Sequence, residues 1–523
     1  MTTGKTLKGK PYAGNPHVAP SQRYGGTSRF DEGEVASCTA EASLRRVHCR
    51  RQPEGRASVC AATPRRGSLL YNMRKQTWKA AVSAAAIAAS AAIPMAANAA
   101  YTSVVQTIDG IEWKLQLDPD TGSATLGYGG AFDESAYACS SNILVNAANI
   151  PWTFIGDDGI HYTVTKIAQA AFSRHPKLIG VVTIPDSVTT IERNAFAFCK
   201  GLTGFAGARN VRAWPHYIFS ECSNMVGTYP DWSSVTSIGE SPFQVCKLMS
   251  GELKLGNSLT SVDRLAFSQS RYSGTAILPS SLETAGGNSD YGIFQENPNL
   301  KAIWVKGKPK AASQTYTTVY CAKFAASCTA MKMILMGRNT KGGRMTQTGV
   351  NSMLAYDSGV QVFVPANGYW TGLVTGGANN KLWYYGPTNE FDLDVSDVDM
   401  TATFTPTTVN ALTNALAWAP SFKTHFNLDA HISVTNTLDL TGVTITPALV
   451  SGVTFDRLIF SVKTQAQLNA ILTAFPATTP ISIDPTGLME NMVVPNDYPN
   501  VFVKTVPGVT IKRTASGFVI IVR

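Results

Sequence analysis

The feature that most restricts this chain is a phenylalanine recurring about every two dozen residues. Phe172, Phe196, Phe219, Phe243, Phe267 and Phe294 are separated by 24, 23, 24, 24 and 27 positions. Three further apolar columns keep step with them. Five residues upstream stand Ile167, Ile191, Trp214, Ile238 and Val262. Eight upstream stand Val164, Val188, Val211, Val235 and Leu259, and six downstream Leu178, Leu202, Met225, Met249 and Leu300. So short a segment cannot bury its own apolar side chains, but copies of it can by stacking. The expected architecture is a β-rich repeat solenoid, with parallel strands stacked coil on coil and the phenylalanines forming one buried spine. Each buried ring contributes about 1.5–3 kcal/mol over exposure. The strands show as Val181-Val-Thr-Ile184 before Pro185, Ala276-Ile-Leu278 before Pro279, and Ile303-Trp-Val305. In the last repeat Phe294 follows Ala285 by nine residues instead of five. Gly286-Gly-Asn-Ser289 suits the inserted surface loop.

Residues 164–202, VTKIAQAAFSRHPKLIGVVTIPDSVTTIERNAFAFCKGL, end in a Ser-Val-Thr-x-Ile…Phe-x-x-Cys-x-x-Leu pattern. That pattern resembles the BspA-like leucine-rich repeats of bacterial secreted and surface proteins. The resemblance covers about 150–310 and extends weakly to 359–386. There Val360-Gln-Val-Phe-Val-Pro365 followed by Tyr369-Trp370 is similar to a closing half-repeat. It implies a leucine-rich-repeat shape and a role in adhesion and protein binding. Trp214 replaces Ile, and His175, Ser270 and Asn297 occupy the Cys column, so distortion is expected around Trp214-Pro215.

The repeat, assigned to 161–310, needs capped ends. Turns at Asp109-Gly110 and Asp118-Pro-Asp-Thr-Gly122 between alternating runs predict an N-terminal β cap over 100–160. Residues 311–387 read as an irregular excursion and the closing half-repeat, and the acidic stretch 388–400 as a linker. Beyond it the period is lost. Val409, Leu412 and Leu416 predict one helix, and Leu468, Ile471, Leu472 and Phe475 another. With strands at 457–462 and 518–522, residues 401–523 are expected to form a separate small α+β module.

The formal charge of +9 is unevenly spread. Residues 1–100 hold 15 basic and 5 acidic residues, leaving 29 basic and 30 acidic for the remainder. The body therefore offers no general basic surface for nucleic acid. Within 73–99, Arg74, Lys75 and Lys79 precede an uncharged run from Ala80 to Ile93, then Pro94 and Ala97-Asn98-Ala99. This order predicts a secretory signal peptide cleaved after Ala99, with Ala97 and Ala99 as the small residues at the scissile site. A buried Ala-rich helix and an extended twin-arginine signal at Arg65-Arg66 are the rival readings. Residues 1–72, rich in Arg, Gly, Ser and Pro, are expected to be disordered and to lie upstream of a true start at Met73. No later run is long enough for a transmembrane span.

Beyond Met73 stand Cys139, Cys199, Cys222, Cys246, Cys321 and Cys328. Three share one repeat column, where a buried small side chain and a metal or redox ladder are the two readings. Cys321 and Cys328 are the best disulfide candidate in an oxidising compartment. The acidic run Glu390–Asp399 reads as solvated linker, with calcium as a rival. Trp214, Tyr217, Tyr229, Trp232 and Trp304 read either as filling for irregular coils or as exposed contacts for protein or glycan. The histidines, including His175, stand in no ligand spacing, and no nucleophile elbow, Walker loop or dinucleotide fingerprint occurs. No catalytic, cofactor-binding or metal residue is assigned, and no cofactor is expected. The expectation is a secreted or surface-exposed, non-enzymatic protein that binds another protein or a cell-surface polymer through residues not yet named. The rivals are an exported enzyme or carbohydrate-binding accessory with its site in 401–523, and a passive spacer.

Overall fold

The computed structural model describes residues 101–514 apart from 134, 288–290, 310–314, 344–351, 355–357, 442, 486–490, 506 and 508. The signal segment with Ala97 and Ala99, the 1–72 stretch and the 518–522 strand lie outside the described residues.

Two parallel ladders run along the repeat. The longer strands are Leu178–Ile184, Leu202–Gly207, Val226–Thr228, Leu248–Glu252, Tyr272–Leu278 and Leu300–Val305. The ladder continues through Met333–Met336, Gln361–Pro365 and Lys381–Tyr385. A second ladder of short strands joins Ala213–Trp214, Ser237–Ile238, Ser261–Val262, Thr284–Ala285, Thr317–Tyr320 and Thr340–Gly343. Both are interrupted at the same coil. Leu202–Gly207 is not bonded into the sheet that begins at Val226, nor Thr190–Ile191 into the one that begins at Ala213. This is the Trp214-Pro215 coil, where proline removes a ladder donor and the indole is wider than the isoleucine it replaces.

Between the ladders lies the aromatic spine. Phe172, Phe196, Phe219, Phe243, Phe267 and Phe294 are fully buried, as are Ile167, Ile191, Ile238 and Val262 in the neighbouring column. Ring centroids are 5.1 Å apart for Phe172–Phe196, 5.2 Å for Phe196–Phe219 and 5.5 Å for Phe219–Phe243. Trp232 bridges Phe243 and Phe267 edge-on, and Phe267 stacks on Phe294 at 5.4 Å.

Each phenylalanine is held by backbone of unusual conformation. Residues two before it (Asn194, Tyr217, Ser241, Leu265) and two after it (Phe198, Glu221, Val245, Gln269, Glu296) are left-handed, with φ between 52° and 63° except Val245 at 65°. The left-handed region is unfavourable for residues with a Cβ. Here it points alternate N–H groups at the next coil. Asn194, Phe196 and Phe198 donate to the carbonyls of His216, Ile218 and Ser220 at 2.8–3.0 Å, and Tyr217, Phe219 and Glu221 repeat the pattern one coil on.

The N-terminal strands Thr102–Ile108 and Ile111–Asp118 form an antiparallel hairpin closed by Asp109 and Gly110, both at positive φ. Ser123–Leu126 pairs with this hairpin and, in parallel, with His161–Ile167. Trp113 meets Phe172 edge to face at 6.3 Å and closes the spine's first end.

Three boundaries differ from the sequence reading. The excursion expected within 311–387, ahead of the closing half-repeat, holds ladder strands instead: Met333–Met336 in the long ladder and Thr317–Tyr320 and Thr340–Gly343 in the short one. Phe294 N–H bonds Phe324 O, so Ala325 stands where a spine phenylalanine is expected, with Cys328 and Met331 in their usual places. The linker assigned to 388–400 contains the strand Phe391–Ser396, paired antiparallel with Thr401–Pro406. Its apolar Phe391 and Leu393 face inward and its aspartates outward, a period of two. Finally, 401–523 is not a separate α+β unit. Thr401–Pro406, Asp429–Ser433, Thr454–Val462, Ile481–Pro485 and Val501–Val503 are parallel neighbours, with helices Val409–Phe426 and Gln465–Ala474 in two connections. They form a parallel sheet of their own with helical connections, and it shares one core with the long-strand sheet through Val409–Phe426. Thr408 and Thr464 cap the helices, the latter in a reciprocal box with Gln467.

Candidate interaction surface

The polar column beside the spine has a structural explanation. Cys199 Sγ donates to Phe172 O at 2.8 Å, and Cys222, Cys246 and Cys328 donate to Phe196, Phe219 and Phe294 carbonyls at 3.0–3.1 Å. Ser270 Oγ and Asn297 Nδ2 do the same for Phe243 and Phe267. The column thus selects a small donor that adds a second bond to carbonyls such as Phe196 O and Phe219 O, which already accept the Cys199 and Cys222 N–H groups of their own turns. Burial pushes the Cys222 and Cys328 thiols up to about 12 and holds Cys199 and Cys246 well above the usual range. His175 occupies the first place, its Nε2 3.1 Å from Ser140 O and 3.6 Å from Cys139 Sγ.

The Cys321–Cys328 disulfide does not form. Both are free buried thiols, Cys328 committed to Phe294 O in its column and Cys321 to Val319 O. The aromatic candidates are mostly core: Trp214, Tyr229, Trp232 and Trp304 are buried. Tyr217 is half-buried and hydrogen-bonds Glu240. The aspartates of 390–399 do not gather around one point. Asp392 meets Arg338 and Asp397 meets Lys306, each at 2.9 Å, while the two cations lie over the Tyr385 and Trp304 rings.

The outward face of the long-strand sheet divides in two. Toward its C-terminal end the helix Val409–Phe426 covers it. Trp304 packs on Phe426, Phe363 on Trp418 and Phe422, and Trp383 on Trp418, with centroids 4.8–6.1 Å apart. Thr275 hydroxyl donates to His425 O. Toward the N-terminal end no element among the described residues covers the same face. It presents Ile179, Val181, Val226 and Leu248 at 40%, 45%, 55% and 51% exposure, with Val226 opposite Leu248 in the ladder. Nothing in the one-dimensional pattern distinguished the two halves, because the covering helix comes from a segment outside the repeat.

Residues 159–272 and 228–315 match the BspA type leucine rich repeat region in six copies. This segment is a BspA-type leucine-rich repeat. No curated protein matches the chain. Among solved structures, a leucine rich cell surface protein from Faecalibacterium prausnitzii is 15% identical, with 55% of this chain and 96% of that one covered and a TM-score of 0.29. The pneumococcal vaccine antigen PcpA is 14% identical over 78% of this chain and 100% of its own, at 0.32. A T. pallidum leucine rich repeat protein is 18% identical over 44% and 83%, at 0.27. Among the described residues, no helix is long and apolar enough to cross a membrane.

Proposed function

We propose that this is an exported, surface-exposed, non-enzymatic protein that adheres to other proteins through the uncovered half of its long-strand sheet. The observation that carries the reading is the exposure of the apolar Ile179, Val181, Val226 and Leu248. They lie on the very face that, further along, already accepts a helix. Exposed apolar groups on a sheet face favour association. The repeat type supports the same role. Beads coated with the exported protein and layered on a film of matrix glycoprotein under flow provide the test. Val226→Asp combined with Leu248→Asp should cut bead retention at least tenfold with an unchanged melting curve. Retention equal to wild type would remove this face from the adhesive role.

A further inference from the structure

The short-strand ladder carries a different site, independent of the adhesive face. In this fold several hydroxyls at coil edges are consumed by a carbonyl of the preceding coil. Ser187 Oγ bonds Val164 O at 2.9 Å, Thr236 Oγ1 bonds Arg212 O at 3.1 Å, Thr260 Oγ1 bonds Thr236 O at 3.0 Å and Ser281 Oγ bonds Leu259 O at 2.6 Å. Other hydroxyls, Thr190 and Thr318 among them, make no such bond, and three of these share one groove. Ser237, Ser261 and Thr284 stand on successive rungs in direct register. Their side chains are half-buried and make no hydrogen bond to other described residues. All three line a single groove of about 330 Å³, a size that suits a small ligand.

Gly239 and Gly286 also line the groove, at points where neighbouring chain packs too closely for a side chain. A Cβ on Gly239 would stand 2.8 Å from His216 N, and one on Gly286 3.1 Å from Tyr320 Cβ, at a φ of +93°. His216 and Asp263 also line it. His216 Nδ1 accepts the Glu240 N–H at 3.0 Å, so the neutral ring carries its proton on Nε2 and offers a donor. Asp263 Oδ1 accepts the Arg264 N–H at 2.7 Å, and Oδ2 lies 3.8 Å from His216 Nδ1. The neighbouring Arg264 and Glu240 neutralise each other in a two-bond pair at 3.0 Å. The groove therefore offers hydroxyls, one imidazole donor and one carboxylate acceptor, with no uncompensated cation to attract an anion.

We propose that this groove binds a neutral pyranose residue of a glycan. Rungs of a parallel ladder are about 4.8 Å apart, which matches the separation of alternate equatorial hydroxyls on a pyranose ring. Each rung hydroxyl can donate to one sugar oxygen and accept from another, and Asp263 accepts from a third. Acidic sugars are disfavoured by Asp263.

The full-length protein, applied to an array of neutral and acidic glycans and then titrated calorimetrically with the best neutral glycan, tests this. Binding to neutral glycans, unaffected by chelator, is expected. Ser261→Val and, separately, Thr284→Val should each weaken it about five- to tenfold. Ser187→Ala, whose hydroxyl serves a carbonyl elsewhere, should not change it. The Val226→Asp and Leu248→Asp variant should retain it, which separates this site from the adhesive face. No neutral-glycan signal, a signal confined to acidic glycans, or binding indifferent to both hydroxyl variants would overturn the proposal. Two variants guard against one misfolding.

Discussion

Replacing Phe219 by alanine probes the stacking directly. The ring is fully buried and touches three others, Phe196 at 5.2 Å, Phe243 at 5.5 Å and Phe205 at 5.1 Å. Truncating a buried phenylalanine costs about 3–5 kcal/mol, because the cavity collapses only partly. Each ring pair adds about 0.5–1.5 kcal/mol beyond burial, so the expected loss lies at the upper end, about 5 kcal/mol. Phe172 has one stacked neighbour and one edge contact, and its truncation should cost nearer 3 kcal/mol. Location changes the form of unfolding as well as its size. Coils interact only with neighbours, and Phe219 lies in the coil where both ladders are interrupted. Phe219→Ala should therefore split thermal unfolding, followed by circular dichroism, into two transitions, whereas Phe172→Ala should leave one. A Phe219→Ala loss under about 1 kcal/mol, or a larger loss at Phe172 than at Phe219, would refute the stacked-spine reasoning.

Cys222→Val removes the thiol donor to Phe196 O, which keeps its bond from Cys199 N–H, and should cost about 0.5–1.5 kcal/mol. Cys222→Ser should cost less in the same urea titration, since serine already serves this column at Ser270. The six thiols from Cys139 to Cys328 should resist maleimide until the protein is denatured, and mass spectrometry should find no Cys321–Cys328 bridge. Lys306→Met should increase proteolytic cutting near 388–400 by releasing Asp397. The hydrogen bond from Lys306 lowers the Asp397 pKa. Its contribution is therefore complete above the ordinary carboxylate range and fades as pH falls through the lowered value. Acidification should accordingly raise cutting in the wild type and leave Lys306→Met largely unchanged.

The repeat was legible because its columns are chemically strict. Burial on the inner side demands Phe, Ile and Leu at fixed offsets, and stacking forbids slippage. Legibility ended at Ala325, where the ring moves to the adjacent Phe324 and an insertion lengthens the coil. The offsets from Ala325 to Cys328 and Met331 still carried the register. Beyond 400, helical connections join the strands of another parallel sheet, so the repeat spacing is lost. The strand at Phe391–Ser396 was masked by its acidity, although its alternation of apolar and acidic residues carries a strand period. The groove of Ser237, Ser261 and Thr284 could not be read from sequence. Its hydroxyls look the same as Thr236 and Thr260, and only the missing carbonyl partners set them apart.

The thiol column has a consequence for how the molecule is made. Each sulfhydryl of the column donates to the coil before it and is buried in the finished stack. In an oxidising compartment, maturation is thus a race between coil deposition and adventitious sulfur chemistry. A chain that stalls midway leaves reactive sulfur exposed, ready to capture a second stalled chain.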